Sequence, residues 1–149
     1  MKEIYMKILV CTDGSEHSQK AMEEASIIAK GCDADEVAII HVHEIYVPLI
    51  SFSTEQMESI RRLTKEHQEE RKKMLSKALK FFKGKNIKAR TILKEGHPAD
   101  TIIKLAHEEG FDMIVIGSRG MSGLQKLFLG SVSNAIIHEA KNCSVLIVK

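Results

Sequence analysis

Met113-Ile114-Val115-Ile116 runs straight into Gly117-Ser118-Arg119-Gly120, and nine residues later comes Gly130-Ser131-Val132-Ser133. The apolar run, rich in β-branched residues and bounded by Asp112 and Gly117, reads as a strand covered on both faces. A buried strand that opens into a glycine loop and then a serine-bearing helix start turns backbone N–H groups toward an anion. The stretch thus points to a wound strand-and-helix sheet and, at that strand's end, to a phosphate and so a nucleotide.

Outward from this stretch the same alternation repeats. Met6 to Cys11 reads as a first buried strand, followed by a loop at Thr12-Asp13-Gly14 and a helix capped by Ser15, with Ala21, Met22, Ala25, Ile28 and Ala29 at helical spacing and Gly31 as its stop. Val37 to Val42 is the second strand. Ser53 with Gln56 three positions on forms a capping box, and Met57, Ile60, Leu63, Met74, Ala78 and Phe82 line one stripe of a long helix ending at Gly84. Ile87 to Leu93 is the third strand; Pro98 opens a third helix that Gly110 closes. Met113 to Ile116, a helix from Ser131 to Ala140 and a last strand Val145 to Val148 complete the chain. Strands separated by helices imply right-handed crossovers and a five-stranded parallel, doubly wound α/β sheet with helices on both faces, Rossmann-like, in a single domain.

Composition is compatible with that reading. A chain of 149 residues buries roughly two-thirds of its extended surface, enough for its own core. Apolar runs are short, and Lys7 and Asp13 interrupt the first of them, so neither a membrane span nor a signal peptide fits and a cytoplasmic protein is expected. Cys11, Cys32 and Cys143 lack paired spacing, which argues against a disulfide framework or a zinc site. The net charge of +2 hides a basic segment from Glu55 to Arg90. Its glutamates lie among its lysines, the pattern of a solvated helix face more than of a nucleic-acid footprint.

In such sheets ligands bind beyond the carboxyl ends of the strands, where strand order reverses. The first and fourth strands flank that point, so Thr12 and Asp13 meet Gly117, Arg119, Gly120 and Gly130 at one edge. Gly117, Gly120 and Gly130 let backbone approach a sugar or phosphate and permit positive φ, although each also fits a plain turn. The N–H groups of Ser131, Val132 and Ser133 are the unpaired donors of a first helical turn. Asp13 suits either a ribose hydroxyl or the cap of the first helix, and Arg119 either a phosphate or solvent. The Walker pattern GxxxxGK[ST] is missing, as is GxGxxG after the first strand, which removes the P-loop and NAD-binding readings.

Gly117-x-x-Gly120, nine residues, then Gly130-Ser131 resembles the ATP-binding signature of the universal stress protein family. The resemblance extends to Cys11-Thr12-Asp13-Gly14-Ser15, His41-Val42, Glu95-Gly96-His97-Pro98-Ala99 and Val145-Leu146-Ile147-Val148. It implies ATP as ligand, with Asp13 and the Val42 backbone near ribose and adenine, Gly117 and Gly120 along ribose and phosphates, and Gly130, Ser131, Val132 and Ser133 on the phosphates. It also implies a homodimer through the final strand and a regulatory or stress-response role, with slow hydrolysis in some members. Cys11, where small residues or proline are common, bears on adenine fit; Asn142-Cys143-Ser144, in place of the frequent Cys-Pro, bears on the dimer edge.

The remaining residues weigh binding against catalysis. His41-x-His43 places both imidazoles on one strand face, but no third metal ligand stands at suitable spacing. No lysine sits on the phosphates, as fast phosphoryl transfer demands, so no catalytic residue is assigned. The expectation is an ATP-binding regulatory protein acting on an unidentified protein partner, with Mg²⁺ carried on the phosphates. The rivals are a slow Mg²⁺-dependent ATP hydrolase and, below it, a nucleic-acid binder. The apolar last strand independently offers an edge for pairing with a second copy.

Overall fold

The computed structural model describes residues 5–45, 51–120 and 129–149. The elements are β1 (Lys7–Cys11), α1 (Glu16–Gly31), β2 (Glu36–His43), α2 (Thr54–Lys83), β3 (Ala89–Glu95), α3 (Pro98–Glu108), β4 (Met113–Gly117), α4 (Ser131–Glu139) and β5 (Ser144–Val148). All strand pairs are parallel, in the order β3-β2-β1-β4-β5. Strand order therefore reverses between β1 and β4, as the doubly wound reading requires.

The sheet's period of two divides its side chains between two helical layers. Ile8 and Val10 of β1, with Val37, Ile39 and Val115, pack against α1 and α2 through Ala21, Met22, Ala25, Leu75, Ala78 and Phe82. Leu9 and Cys11, with Ala38, Ile40, Ile114 and Ile116, pack against α3 and α4 through Ala99, Ile102, Leu105 and Ile136. Phe82 and Ile8 are fully buried; each such side chain contributes about 1.5–3 kcal/mol relative to exposure.

Two expectations are corrected. The third strand begins two residues later than Ile87 and reaches Glu95. Asn86 is left-handed, at φ 57°, and Ile87 donates its N–H to the Phe82 carbonyl at 3.1 Å, so Ile87 belongs to the turn. Lys94 and Glu95 pair with Val42 and His43, which extends the strand at its far end. The second correction concerns α2, where the expected inward stripe holds only from Met74 onward. Leu75, Ala78 and Phe82 are its buried residues, whereas Met57 and Leu63 are 40% and 54% exposed. With 30 residues at about 1.5 Å rise each, α2 is far longer than the strands it lies on, and its first half has no layer of described residues over it.

Candidate functional site

The loop after β1 is held by its own side chains. Ser15 caps α1, accepting from the Ser18 N–H at 3.1 Å, and the Asp13 Oδ1 accepts from the Ser15 N–H at 2.9 Å. Asp13 thus fixes the loop one step ahead of the cap, and its Oδ2 has no hydrogen-bond partner among the described residues. Thr12 accepts from the Gly14 N–H through Oγ1 at 3.3 Å, and the His41 Nδ1–H donates to the Thr12 carbonyl at 2.8 Å. Gly14, at φ 80°, supplies the left-handed residue that turns the chain into α1.

Across the switch point, β4 ends at Gly117 and the chain returns at Gly130, which donates its N–H to the Ser118 carbonyl at 2.7 Å. The Ser133 hydroxyl also bonds inward, to the carbonyls of Ser118 and Gly130 at 3.2 and 3.0 Å. It caps no N–H of α4, and Gly130 at the N-cap has no side chain with which to do so. The first bond of the helix runs from Asn134 N–H to the Gly130 carbonyl at 2.9 Å. The N–H groups of Ser131, Val132 and Ser133 therefore lack an acceptor among the described residues. The other helices carry Glu16, Glu55 or Asp100 in their first turns; α4 carries no acid there, so its positive end is left uncompensated.

Between these two edges lies a cavity of about 290 Å³. Its lining includes the apolar Cys11, Ile40, Ile102, Ile116 and Pro98 and the polar Thr12, Asp13, Ser131 and Ser133. An apolar lining together with N–H donors that find no acceptor among the described residues suits an amphiphilic ligand with a flat apolar end and an anionic one. A second cavity of about 310 Å³, lined by His67, Glu70, Arg71 and Met74 of α2, shares Asp13 and His41 with the first.

Burial pushes the Cys11 thiol far above its ordinary range, with the Asp13 charge adding to the effect, so Cys11 is an inert apolar surface. Burial also lowers the His41 pKa; its bond to the Thr12 carbonyl opposes this, the positive charges of Arg71 and His43 deepen it, and Asp13 works against it. His41 and His43 stack with ring centroids 6.4 Å apart, on one face as their spacing requires. They go to different partners, however, Thr12 for His41 and Glu95 for His43. No group of three or more His, Cys, Asp or Glu among the described residues is placed to hold a metal ion.

The chain matches the universal stress protein family over residues 4–149. It belongs to that family. Universal stress protein MJ0531 of Methanocaldococcus jannaschii is 38% identical over 149 residues, covering 99% of this chain and 84% of its own length. The solved structure of MJ0577 from the same organism superimposes with a TM-score of 0.79 at 30% identity, covering 99% of this chain and 97% of that one. A universal stress protein solved in complex with cAMP gives a TM-score of 0.67 at 25% identity, covering 98% of each chain.

Within this universal stress protein, Thr12, Asp13, Val42, Gly117, Arg119, Gly120, Gly130, Ser131, Val132 and Ser133 all line the first cavity. Positions 121–128, the span between the signature glycines, lie outside the described residues. The reason for Gly117 differs from the expected one. A Cβ there would lie 2.7 Å from the His17 carbonyl carbon, so the missing side chain serves close packing of α1 on β4. None of Gly117, Gly120 and Gly130 has a positive φ; Gly14, Gly96 and Gly110 do. Sequence reasoning did not place Ile40, Ile102, Ile116 and Pro98 in the cavity, nor Ser18, whereas His41, expected near the site, does line it. The alternation along β2 and β4 carried that signal, since residues next to the strand ends on the α3 and α4 face must border the switch point.

Proposed function

We propose that this universal stress protein binds ATP in the first cavity and works as a nucleotide-dependent regulatory protein. The observation that carries the reading is the row of N–H groups at Ser131, Val132 and Ser133, without an acceptor among the described residues, in a cavity that also has an apolar lining. Adenine suits the wall of Cys11, Ile40, Val42 and Ile102, a ribose hydroxyl suits the free Oδ2 of Asp13, and the phosphates suit the α4 N-terminus. Arg119, Gly117 and Gly120 border the path between them. The resemblance of Gly117-x-x-Gly120 and Gly130-Ser131 to the family's ATP signature supports the choice of nucleotide, and the relative in complex with cAMP is in keeping with an adenine ligand.

Mg²⁺ belongs to this proposal as the counterion of the triphosphate, with the oxygens of Asp13, Ser131 and Ser133 as the hard donors within the cavity. A second copy of the chain suits the outer edge of β5, the last strand of the sheet on that side. Slow hydrolysis is the second reading, favoured by one observation: Asp13 keeps a carboxylate oxygen in the cavity with which to orient water.

The test is calorimetry with Mg²⁺-ATP on the wild type and on Ser131→Asp. An acid in the first turn strengthens an isolated helix, so the variant folds, while its carboxylate takes the place of the phosphates. Binding by the wild type weakened about tenfold or more in Ser131→Asp, roughly the worth of one charge-assisted contact, supports the reading. Absence of binding by the wild type overturns it. ADP accumulation that disappears in Asp13→Asn would establish hydrolysis.

A further inference from the structure

The second cavity has no part in the reading above, yet Asp13 and His41 form a wall common to both. Its principal cation is Arg71. That side chain is half-buried and makes no hydrogen bond or ion pair among the described residues. The carboxylates nearby do not neutralise it: Glu69 pairs with Lys72, and Glu70 and Asp13, which line the cavity with Arg71, make no ion pair to it. A partly desolvated guanidinium that no carboxylate among the described residues bonds is poised for an anion brought from outside, and its planar fork matches phosphate oxygens in pairs.

The position of the cavity says which anion. If the 5′-phosphates lie on the α4 N-terminus and a ribose hydroxyl on the Oδ2 of Asp13, the hydroxyl edge of the sugar faces the shared wall and the second cavity lies beyond it. In dinucleotide folds an acid holds a free ribose hydroxyl, or an arginine nearby accommodates a phosphate on the sugar. Here both kinds of group are present, Asp13 in the shared wall and Arg71 in the second cavity. We propose that the second cavity is a subsite for a phosphate on the 2′ or 3′ hydroxyl of a bound adenosine nucleotide, with Arg71 as the residue that recognises it. Asp13 then holds the vicinal hydroxyl that remains free. Since Arg71 lies on α2, a ribose-phosphorylated ligand would also tie α2 to the nucleotide site. The inference rests on the nucleotide reading above.

The experiment measures the affinities of adenosine 5′-monophosphate, adenosine 3′,5′-bisphosphate and adenosine 2′,5′-bisphosphate for the wild type, Arg71→Ala and Arg71→Lys. Arg71 is a half-buried helix residue with no hydrogen bond or ion pair among the described residues, and alanine is the better helix former, so thermal melts should show both variants folded. The expected result is that one bisphosphate binds the wild type roughly tenfold or more tightly than the monophosphate. That ratio should fall close to one in Arg71→Ala and recover in part in Arg71→Lys, which keeps the charge and loses the fork. Monophosphate binding with no bisphosphate advantage, or an advantage that survives Arg71→Ala, overturns this inference and leaves the nucleotide site standing. Failure of all three ligands to bind a wild type that binds Mg²⁺-ATP overturns this inference alone, and failure of Mg²⁺-ATP as well overturns both.

Discussion

Gly117 and His17 are in direct backbone contact: a Cβ on Gly117 would lie 2.7 Å from the His17 carbonyl carbon and 2.8 Å from its carbonyl oxygen. The first turn of α1 is thereby seated on the end of β4, and the two loops that border the first cavity are held at a fixed separation.

Replacing Gly117 by alanine forces one of these backbones to move, because no flexible side chain lies in the way. Overpacking of this kind costs about 1–3 kcal/mol, and a chain of this size loses roughly 2–4 °C of Tm per kcal/mol. Gly130→Ala is the internal control, since its Cβ meets ordinary contacts at 3.4–3.5 Å. Thermal melts should show a clear fall for Gly117→Ala and little change for Gly130→Ala; equal effects would refute the assignment.

Gly120→Ala should separate stability from binding. Its Cβ would stand 2.8 Å from the Asp13 Oδ2, the free end of a side chain that can swing aside. Stability should change by less than about 1 kcal/mol, the range of a surface substitution. Displacing that oxygen removes the acceptor assigned to a ribose hydroxyl, so nucleotide affinity should drop about tenfold, the worth of one hydrogen bond to a charged group. Calorimetry and a melt on the same sample check both halves.

His41 gives the fold a pH dependence of known sign. Its folded pKa is lowered, chiefly by burial, so between that value and the ordinary one near 6.5 the unfolded chain binds more protons than the folded one. The contribution of His41 is complete above this window and is lost as pH falls through it. His41→Asn, which keeps a donor for the Thr12 carbonyl, should lose less Tm between neutral and mildly acid pH than the wild type. A steeper loss in the variant would contradict the assignment.

Ser53 matters locally. Its hydroxyl accepts from the Gln56 N–H while the Gln56 side chain accepts from the Ser53 N–H, and the turns that follow have little packing to support them. Ser53→Ala costs about 1 kcal/mol of helix. Hydrogen exchange should speed up in the first turns of α2 and stay unchanged around Phe82, with the global Tm barely moved.

The layered sheet was legible because its signals are local. Ile8-Leu9-Val10 and Ile114-Val115-Ile116 read as buried strands wherever they stand, and strand order then brings Asp13 to Ser131. The contribution of α2 was not legible, because the same helical stripe continues from Met57 to Phe82 whether or not a sheet lies beneath it. Helical periodicity gives the direction of a face and is silent on where its support ends. Gly117 was open to misreading for a related reason: a glycine in a loop signals that something comes close, and only the packing of α1 shows that the neighbour is His17. Arg71 carries no motif at all; its place beside Asp13 arises from how α2 lies over the end of β2.

The pairing of β1 with both β2 and β4 also orders events during synthesis. Ile8 finds Val37 within the first part of the chain, whereas its partner on the other side is Met113. One half of the sheet can assemble on the ribosome while the central strand waits with an open edge, and so distant a closure is the slow kind. Thr12 and Asp13 are in place from the start, but the donors of Ser131 to Ser133 arrive last. A nascent chain therefore gains its first cavity only as the sheet is completed, and on the proposed function a bound nucleotide would mark a molecule whose folding is finished.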